Sequence, residues 1–203
     1  MGVKERRERQ KENLRQEILD AARKLFIQEG YENVSMRRVA EKIEYSPTTI
    51  YLYFKDKAEL LDSICVETFS KLIQKLERMH EIPGDPIERL KKGLHAYVEF
   101  GLENPHHYEV TFVLPNPRHE HYQGPSCAEA AGFKCFNLLR MGVAECVAAG
   151  KFRNVDVESA SQALWAAVHG ITSLLIVHQG FPWVERDQLI AMVIDSMVAG
   201  LTR

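Results

Sequence analysis

Residues 35–57, SMRRVAEKIEYSPTTIYLYFKDK, have the pattern of two short helices joined by a tight turn. Ser35 and Ser46 each stand just before a helical pattern, where a serine hydroxyl can accept a hydrogen bond from an unpaired backbone N–H. Pro47 suits the first position of the second helix, because the N–H that proline lacks has no partner there. The two start signals of the second helix therefore agree.

Each predicted helix has one apolar face. Val39, Ala40 and Ile43 form a stripe on the first helix, and Ile50 and Phe54 lie four residues apart on the second. Side chains at this spacing share a helix face. The two faces are expected to bury against each other.

The other face of the second helix is crowded with hydroxyls and aromatic rings. Thr48, Thr49, Tyr51 and Tyr53 are left to point outward. In a DNA major groove, threonine methyls can contact thymine methyls, and hydroxyls can bind base edges or phosphates. Cations flank this face on both sides, as phosphate strands require. The pattern predicts a DNA-binding helix-turn-helix with the contact residues Arg37, Arg38, Pro47, Thr48, Thr49, Tyr51, Tyr53 and Lys57.

Taken singly, these residues also fit a simpler interpretation. Arg37 and Arg38 on a short helix are typical of a solvated face. Tyr51 alone fits either interpretation. The combination of a capped short helix, outward hydroxyls and flanking cations favours DNA binding.

At these residues the chain resembles the tetracycline-repressor (TetR) family of bacterial transcription regulators. The resemblance covers residues 18–61 and consists of an Ala-Ala-x-x-Leu-Phe helix ending at Gly, a Ser or Thr before the next helix, Thr-x-Tyr-x-x-Phe and Lys-x-x-Leu. The residues in those places are Ala21, Ala22, Leu25, Phe26, Gly30, Ser35, Thr49, Tyr51, Phe54, Lys57 and Leu60. The resemblance implies a three-helix DNA-binding domain, a long connecting helix and a variable ligand-binding domain.

Two residues depart from the family pattern. Glu44 stands where the family often has Gly in the turn, and Thr48 stands where many members have Gly early in the recognition helix. Glu44 predicts either a different turn geometry or a left-handed residue costing about 1 kcal/mol. Thr48 adds a side chain that can alter base preference, so the DNA sequence bound by relatives does not transfer to this chain.

The charge distribution also separates the two predicted domains. The 203-residue chain has a net charge of −2, but residues 1–57 contain 13 Lys and Arg against 10 Asp and Glu, and the remainder contains 13 against 18. This split favours an N-terminal DNA-binding domain at 1–56, with the helix-turn-helix at about 35–54, and a ligand-binding and dimerisation domain at 57–203.

The first 16 residues are polar and densely charged, with Arg6, Arg7 and Arg9 close together. They fit either a frayed extension of the first helix or an arm in the minor groove. The segment has no apolar core of the kind found in signal peptides. This absence favours a cytoplasmic location, and the resemblance implies a bacterial protein that associates with the nucleoid when bound to DNA.

The chain as a whole predicts an all-α fold of about nine helices, because no useful strand-like alternation occurs. Nine is also the helix count that the resemblance implies. Residues 115–125 are the one long irregular loop in this prediction. The predicted helices span residues 14–28, 36–43, 47–54, 57–80, 86–103, 105–114, 126–149, 157–179 and 185–201.

The eighth predicted helix is apolar nearly all round, but polar residues interrupt it too often for a membrane span. It is expected to lie inside protein. Ala166, Gly170 and Ala199 are small residues on the last two helices, which suits a two-fold four-helix interface. A homodimer formed there would place two recognition helices in successive major grooves of a pseudo-palindromic operator.

Trp165, His169 and Gly170 form Trp-x-x-x-His-Gly, which resembles the signature of a Trp-His-Gly (WHG) subgroup of TetR C-terminal domains. These residues either pack in the core or line an effector pocket. A mainly apolar cavity with one or two polar groups would bind a small apolar or aromatic effector. The candidate ligand-binding residues are Tyr97, Phe100, Tyr108, Phe112, Phe133, Phe136, Trp165 and His169.

No cofactor, metal site or catalytic motif is predicted. His106-His107 and His119-x-His121 lack an obvious third ligand, and solvated loop histidines are the favoured interpretation. Cys65, Cys127, Cys135 and Cys146 lack Cys-x-x-Cys spacing, which favours reduced structural thiols over a redox switch.

Three functions remain: a ligand-responsive dimeric repressor, a regulator controlled by a thiol or a partner protein, and a helical enzyme carrying a similar N-terminal fold.

Overall fold

The computed structural model describes residues 2–80, 82–114 and 126–202, and helices account for most of them. No strand occurs in these ranges, although Phe152 and Thr202 form an isolated bridge. The all-α prediction is confirmed. The helices are α1 (Val3–Glu29), α2 (Met36–Lys42), α3 (Pro47–Tyr51), α4 (Lys57–His80), α5 (Pro86–Glu103), α6 (Pro105–Tyr108), α7 (Cys127–Ala148), α8 (Val157–Val177) and α9 (Arg186–Ala199).

Helix α1 begins at Val3, so the predicted start at residue 14 was wrong. The prediction relied on buried apolar residues, and the first of these in α1 is Ile18. Residues Lys4–Asn13 of α1 carry only charged and amide side chains, and most of these residue types have a high helix propensity, which suits an exposed helix. Glu5 also accepts a hydrogen bond from the Gly2 backbone N–H at 2.9 Å, which satisfies one donor at the helix start.

The predicted helix at 105–114 is a single α-helical turn, α6, followed by a π-helical turn over Glu109–Val113. The Leu114 N–H donates to the Glu109 carbonyl at 2.8 Å, which is the wide i to i+5 bond. Three of the five residues in this turn are β-branched, and such residues have a weak α-helical preference. The predicted loop at 115–125 lies outside the described residues.

Two compact units divide the chain. Unit 1 contains residues 1–68 and 106–128, and unit 2 contains residues 69–105 and 129–203. Helix α4 therefore contributes its first half to unit 1 and its second half to unit 2. The proposed domain boundary at residues 56/57 stays a prediction.

Unit 1 is built on α1, α2, α3 and the first half of α4. Its core includes Ile18, Phe26, Val39, Ile50 and Phe54, each of which is at most 1% exposed. The predicted burial of the second helix through Ile50 and Phe54 is therefore confirmed. Ile43, the third member of the predicted stripe on α2, is only half-buried.

A polar cluster joins α1 to α4 inside unit 1. The Arg23 side chain, 9% exposed, donates to Asp20 at 2.8 Å and to Glu67 at 3.2 Å. Gln16 donates to the same two carboxylates. A nearly buried arginine needs such partners, because an unpaired charge in the core is strongly destabilising. The cluster fixes the position of α1 along the first half of α4.

Unit 2 is a helical bundle in which α5, α8 and α9 pack against one another. Its core includes Val98 of α5, Leu164 and Val168 of α8, and Ile194 and Val198 of α9, all at most 2% exposed. Helix α7 approaches α4 closely at Gly132, where an added Cβ would lie 3.1 Å from the Phe69 ring. A larger residue at that position would force the ring to move.

Helix α8 is long and apolar enough to cross a membrane by length and composition, but it packs along one face in unit 2. Only 39% of its most apolar window is buried within the single chain, so the expected enclosure of this helix by protein stays a prediction that requires a second chain. Trp165, Leu174 and Val177 are 40%, 43% and 48% exposed. The sequence pattern did not distinguish burial within the chain from burial in an assembly.

Candidate nucleic-acid interface

Both helices of the helix-turn-helix begin with the predicted serine caps. The Ser35 hydroxyl accepts a hydrogen bond from the Arg38 N–H at 3.1 Å, and the Ser46 hydroxyl accepts one from the Thr49 N–H at 3.2 Å. Pro47 occupies the first turn of α3. These caps matter because α2 and α3 are only 7 and 5 residues long, and helices this short do not persist without capping and packing.

The turn between α2 and α3 contains a left-handed residue at Glu44, whose φ is 60°. Of the two geometries that the sequence allowed, the structure therefore adopts the strained one. The Tyr45 N–H donates to the Ala40 carbonyl at 3.0 Å, so the left-handed residue closes the turn tightly. The side chain of Glu44 is exposed, which places a negative charge beside the predicted DNA contacts.

The exposed face of α3 consists of the predicted hydroxyl and aromatic groups, with differences among them. Thr48 and Pro47 are exposed and Tyr51 is 55% exposed, whereas Thr49 and Tyr53 are half-buried. The Thr49 hydroxyl lies 2.9 Å from the Ser46 hydroxyl. Thr49 therefore takes part in the cap of α3, and Thr48 and Tyr51 are the side chains most available to bases.

The two arginines of α2 differ in their surroundings. The Arg37 side chain is 81% exposed and pairs with Glu41 at 3.2 Å. Arg38 donates three hydrogen bonds to Glu29 of α1, the shortest at 2.8 Å. The Arg38 guanidinium lowers the pKa of Glu29 by hydrogen bonding and charge. Arg38 therefore joins α2 to α1, while Arg37 is free to exchange its exposed partner for a phosphate.

Lys57 is also engaged within unit 1. Its Nζ donates to the Tyr31 carbonyl at 2.7 Å and lies 4.1 Å from the centroid of the Tyr31 ring. This contact ties the start of α4 to the loop between α1 and α2. The predicted role of Lys57 in DNA binding stays a prediction, and the structure gives this residue a structural role as well.

Two exposed residues near α3 were missed by the sequence reasoning. Leu52 is 76% exposed directly after α3, and Tyr45 is 44% exposed directly before its cap. An apolar side chain exposed at this position can contact a thymine methyl, and a tyrosine hydroxyl can bind a phosphate. Leu52 could have been found from its place two positions before Phe54, because a residue there cannot share the buried face.

Comparison with known proteins identifies the fold and the function class. Residues 18–64 match the model described as bacterial regulatory proteins, tetR family, and residues 90–200 match the model of the tetracyclin repressor-like C-terminal domain. The second match alone covers more than half of the chain. The chain belongs to the TetR family. It is a DNA-binding transcriptional regulator and not an enzyme.

Curated relatives of this TetR family member include HTH-type transcriptional regulators of Staphylococcus aureus. One is 31% identical over 90 residues, which are 44% of this chain and 49% of that protein. Another is 32% identical over 94 residues, or 46% of this chain and 50% of that protein. The aligned part of the chain spans about half the length of these curated relatives.

Solved structures agree with the fold over nearly the whole chain. The TetR family transcriptional regulator PfmR of Thermus thermophilus is 25% identical, has a TM-score of 0.73, and is matched over 92% of this chain and 99% of that one. The fatty acid degradation regulator FadR of Bacillus halodurans is 21% identical with a TM-score of 0.77, over 93% and 97% of the two chains. The latter likeness shows the fold alone.

In the C-terminal unit of this TetR regulator, four of the predicted ligand-binding residues form one cluster. The Trp165 Nε1–H donates to the Tyr97 hydroxyl at 3.4 Å, and that hydroxyl lies 3.5 Å from His169 Nδ1. The Phe136 ring contacts Trp165 edge-on with centroids 5.9 Å apart. Burial lowers the pKa of His169 below its usual value, which favours the neutral imidazole.

The other four predicted ligand-binding residues have different surroundings within their own units. Phe100 is 4% exposed in unit 2, and Phe133 is 72% exposed on α7. Tyr108 and Phe112 belong to unit 1, where their rings contact each other at a tilt with centroids 4.8 Å apart and Tyr108 is fully buried. The role of all eight candidates in ligand binding stays a prediction.

A surface concavity of about 500 Å³ lies in unit 1 between α1 and the end of α2. Its lining is mostly polar and includes Gln16, Asp20, Lys24 and Lys42. Neither the lining nor the location matches the apolar effector cavity expected from the sequence.

The thiols and histidines have surroundings that bear on the alternative functions. Cys65, Cys135 and Cys146 are buried, and Cys127 is exposed. Burial raises the pKa of Cys135 to about 12 and contributes most to raising that of Cys146 to about 11. Among the described residues, no group of three potential metal ligands occurs; His119 and His121 lie outside those residues.

Proposed function

We propose that this regulator is a homodimeric repressor that binds a pseudo-palindromic operator through α3 and leaves it when a small apolar or aromatic effector binds the C-terminal unit. The DNA-binding part of this proposal rests on the exposed side chains of Thr48 and Tyr51. They lie on a helix that is capped by Ser46 and whose opposite face is buried through Ile50. Side chains held rigidly at a helix surface can reach base edges with little loss of conformational freedom.

Dimerisation is supported by the unpartnered face of α8. Ala163, Ala166, Gly170, Leu174 and Val177 recur at intervals of three or four residues, and all except the half-buried Gly170 are exposed in the single chain. A Cβ added at Gly170 would meet no heavy atom within 4 Å. This face therefore has room for the close approach of a second α8. On α9, Met192 is 66% exposed and adds apolar surface.

A two-fold dimer of this kind would set the geometry of the operator. Two copies of α3 in successive major grooves on the same side of the duplex are separated by about 34 Å, or one helical turn. Each copy then meets the same half-site in opposite orientation. A pseudo-palindrome follows from the symmetry of the protein.

The effector is proposed to bind beside the cluster of Tyr97, Trp165 and His169. Aromatic faces would contact an apolar ligand, and the neutral His169 offers a hydrogen-bonding group that needs no charged partner. Release from DNA requires only that the effector bind more tightly to the conformer with misaligned α3 helices. A coupling of about 1–3 kcal/mol is typical for such systems.

Control by a thiol is the weaker alternative, because three of the four cysteines are buried and two of these have raised pKa values. A thiol rather than a thiolate is a poor nucleophile towards oxidants. Control by a partner protein can be distinguished from control by a small effector by testing whether a protein fraction or a small compound releases the DNA.

The test is capture of genomic DNA fragments by the full-length protein, followed by release with a panel of aromatic and acyl-chain compounds. The proposal predicts that one class of these compounds releases the DNA and that Trp165→Ala or His169→Ala changes the concentration required. Release by hydrogen peroxide or by a protein fraction, with no response to any compound, would contradict it. Sedimentation of the free protein as a stable monomer would contradict the dimer.

A further inference from the structure

The N-terminal part of α1 has no packing partner among the residues that the structure describes. Residues Lys4–Asn13 are all exposed, and none of these ten residues is apolar. At 1.5 Å per residue, this part of the helix extends about 15 Å beyond the buried turns. A polar helix that projects from a core in this way is available to a polar or charged partner.

The cations of this helix are arranged in a stripe. Lys4, Arg7, Lys11 and Arg15 follow one another at intervals of three, four and four residues, which places them on one face. The acidic residues Glu5, Glu8 and Glu12 form the neighbouring stripe, and Arg6 and Arg9 lie on other faces. This part of α1 therefore has a cationic face beside an acidic face and is not uniformly basic.

The cationic stripe continues the buried face of α1. After Arg15, the same spacing of three and four residues leads to Ile18, Ala22 and Leu25, each of which is at most 1% exposed. The buried part of this face packs against the other helices of unit 1. Its cationic continuation therefore projects on the side of α1 where those helices lie.

Arg15 connects this stripe to the predicted DNA contacts. Its guanidinium carbon lies 5.3 Å from the centroid of the Phe54 ring. Phe54 follows α3 closely, and its N–H donates to Ile50 of α3 at 3.1 Å. The stripe thus ends beside the C-terminal end of the recognition helix. None of its four cations forms an ion pair with any residue that the structure describes.

We propose that the stripe of Lys4, Arg7, Lys11 and Arg15 binds the phosphate backbone of duplex DNA next to the base pairs read by α3. This inference rests on the proposed function and extends it to a second, sequence-independent contact surface. DNA suits this surface because its phosphates are complementary in charge to the four cations and because the stripe ends beside α3. A row of cations at about 5–6 Å intervals suits a row of phosphates, and no base contact is needed. Because α1 is helical from Val3, this surface is a rigid rod and not an extended minor-groove arm.

The test compares two variants that each remove two cations from the same exposed segment. Arg7→Gln/Lys11→Gln removes two members of the stripe, and Arg6→Gln/Arg9→Gln removes two cations from other faces. Glutamine and the replaced residues have similar helix propensities, so both variants should keep α1. The full-length proteins are titrated into a long mixed-sequence duplex over a range of salt concentrations, which requires no knowledge of the operator.

The stripe variant is expected to bind about tenfold more weakly and to show a slope of log K against log salt that is smaller by about 2, since each phosphate contact contributes about 0.9. The control variant should keep a slope close to that of the parent. A charge-preserving variant, Arg7→Lys/Lys11→Arg, should restore both the affinity and the slope. Circular dichroism measures whether all variants keep the same helix content.

Equal slopes in the stripe and control variants, with tight DNA binding by the parent, would overturn this inference while leaving the proposed function in place. Failure of the charge-preserving variant to restore the slope would also overturn it. Absence of DNA binding by the parent at low salt would overturn both proposals.

Discussion

The Ser46 hydroxyl accepts a hydrogen bond from the Thr49 N–H at 3.2 Å and also lies 2.9 Å from the Thr49 hydroxyl. One serine therefore caps α3 and holds a threonine side chain on the helix that is proposed to read DNA. In a helix of 5 residues, the cap is a large part of what keeps the backbone helical.

Two substitutions of Ser46 test its role as a helix cap separately from its position near the proposed DNA-binding surface. Ser46→Ala should lower the free energy of unfolding by about 1 kcal/mol, as measured by urea denaturation. Ser46→Asp should retain the cap and most of the stability but weaken DNA binding, because it places a negative charge near the phosphates. If Ser46→Ala leaves the urea midpoint unchanged, the cap is not needed for the fold.

Tyr51 is the residue whose replacement should affect DNA binding with the least effect on folding. Because its side chain is 55% exposed, Tyr51→Ala should leave the melting temperature nearly unchanged. It should weaken binding to a selected duplex by about 1–3 kcal/mol in a fluorescence anisotropy titration. Thr49→Ala should also weaken binding but lower stability, since Thr49 belongs to the cap. A large drop in melting temperature for Tyr51→Ala would instead make it a packing residue.

Replacing Glu44 with glycine should relieve backbone strain in the turn between α2 and α3. Its φ of 60° is unfavourable for any residue with a Cβ, so Glu44→Gly should be about 1 kcal/mol more stable than Glu44→Ala, which keeps the strain and also removes the charge. Thermal denaturation of the two variants measures the difference. Equal stability of the glycine and alanine variants would show that the turn relaxes out of the left-handed conformation.

The ion pair of Arg23 and Glu67 gives a prediction about the packing of α1 on α4. Glu67→Ala leaves a nearly buried arginine with Asp20 as its remaining acidic partner, and should cost about 3 kcal/mol. Arg23→Met/Glu67→Leu removes both charges and should be less destabilising than the single variant. A double variant less stable than Glu67→Ala would show that the ion pair itself carries the stability.

Gly170 and Gly93 form a matched pair for the proposed dimer, because a Cβ at either position meets open space within the chain. Gly170→Leu on α8 should shift the protein to monomers in sedimentation and weaken DNA binding. Gly93→Leu on α5 should leave both unchanged. A dimer that persists in Gly170→Leu would place the interface elsewhere.

His169 predicts how stability depends on pH. Burial lowers its pKa in the folded protein, so below the ordinary value of about 6.5 the unfolded chain binds a proton before the folded one does. Stability should therefore fall as the pH drops from 7 through 6.5 towards 5.5. His169→Gln should flatten the urea midpoint over this range relative to the parent. An NMR titration that places the folded pKa at or above 6.5 would contradict the argument.

The features predicted correctly from sequence are those set by neighbouring residues. The Ser35 and Ser46 caps, the Pro47 start and the burial of Ile50 depend on spacing within a few residues. The identity of Glu44 restricted its turn to two geometries, but only the folded chain selected between them. The TetR family resemblance, resting on side chains such as Tyr51 and Phe54, gave the order of the helices.

The features that sequence reasoning missed depend on contacts between distant residues. Glu29 engages Arg38 and Tyr31 engages Lys57, and neither partner can be read from the local pattern around α2 and α3. The helical extension of α1 was one of two alternatives left open by the sequence, because a segment without a buried face has no apolar periodicity that distinguishes a helix from an extended arm. The exposure of Trp165 depends on whether a second chain covers α8. Apolar periodicity in one sequence indicates a face that can be buried, but it does not indicate whether the same chain or a second chain buries it.

Recognition of a symmetric operator through α3 can be measured by sequencing the genomic fragments that the protein retains, with Tyr51→Ala as the matched control. The parent protein should enrich one motif with two inverted half-sites whose centres are about 10 base pairs apart, and Tyr51→Ala should lose this enrichment while remaining folded. Fragments without a shared symmetric motif, or the same enrichment by Tyr51→Ala, would contradict it.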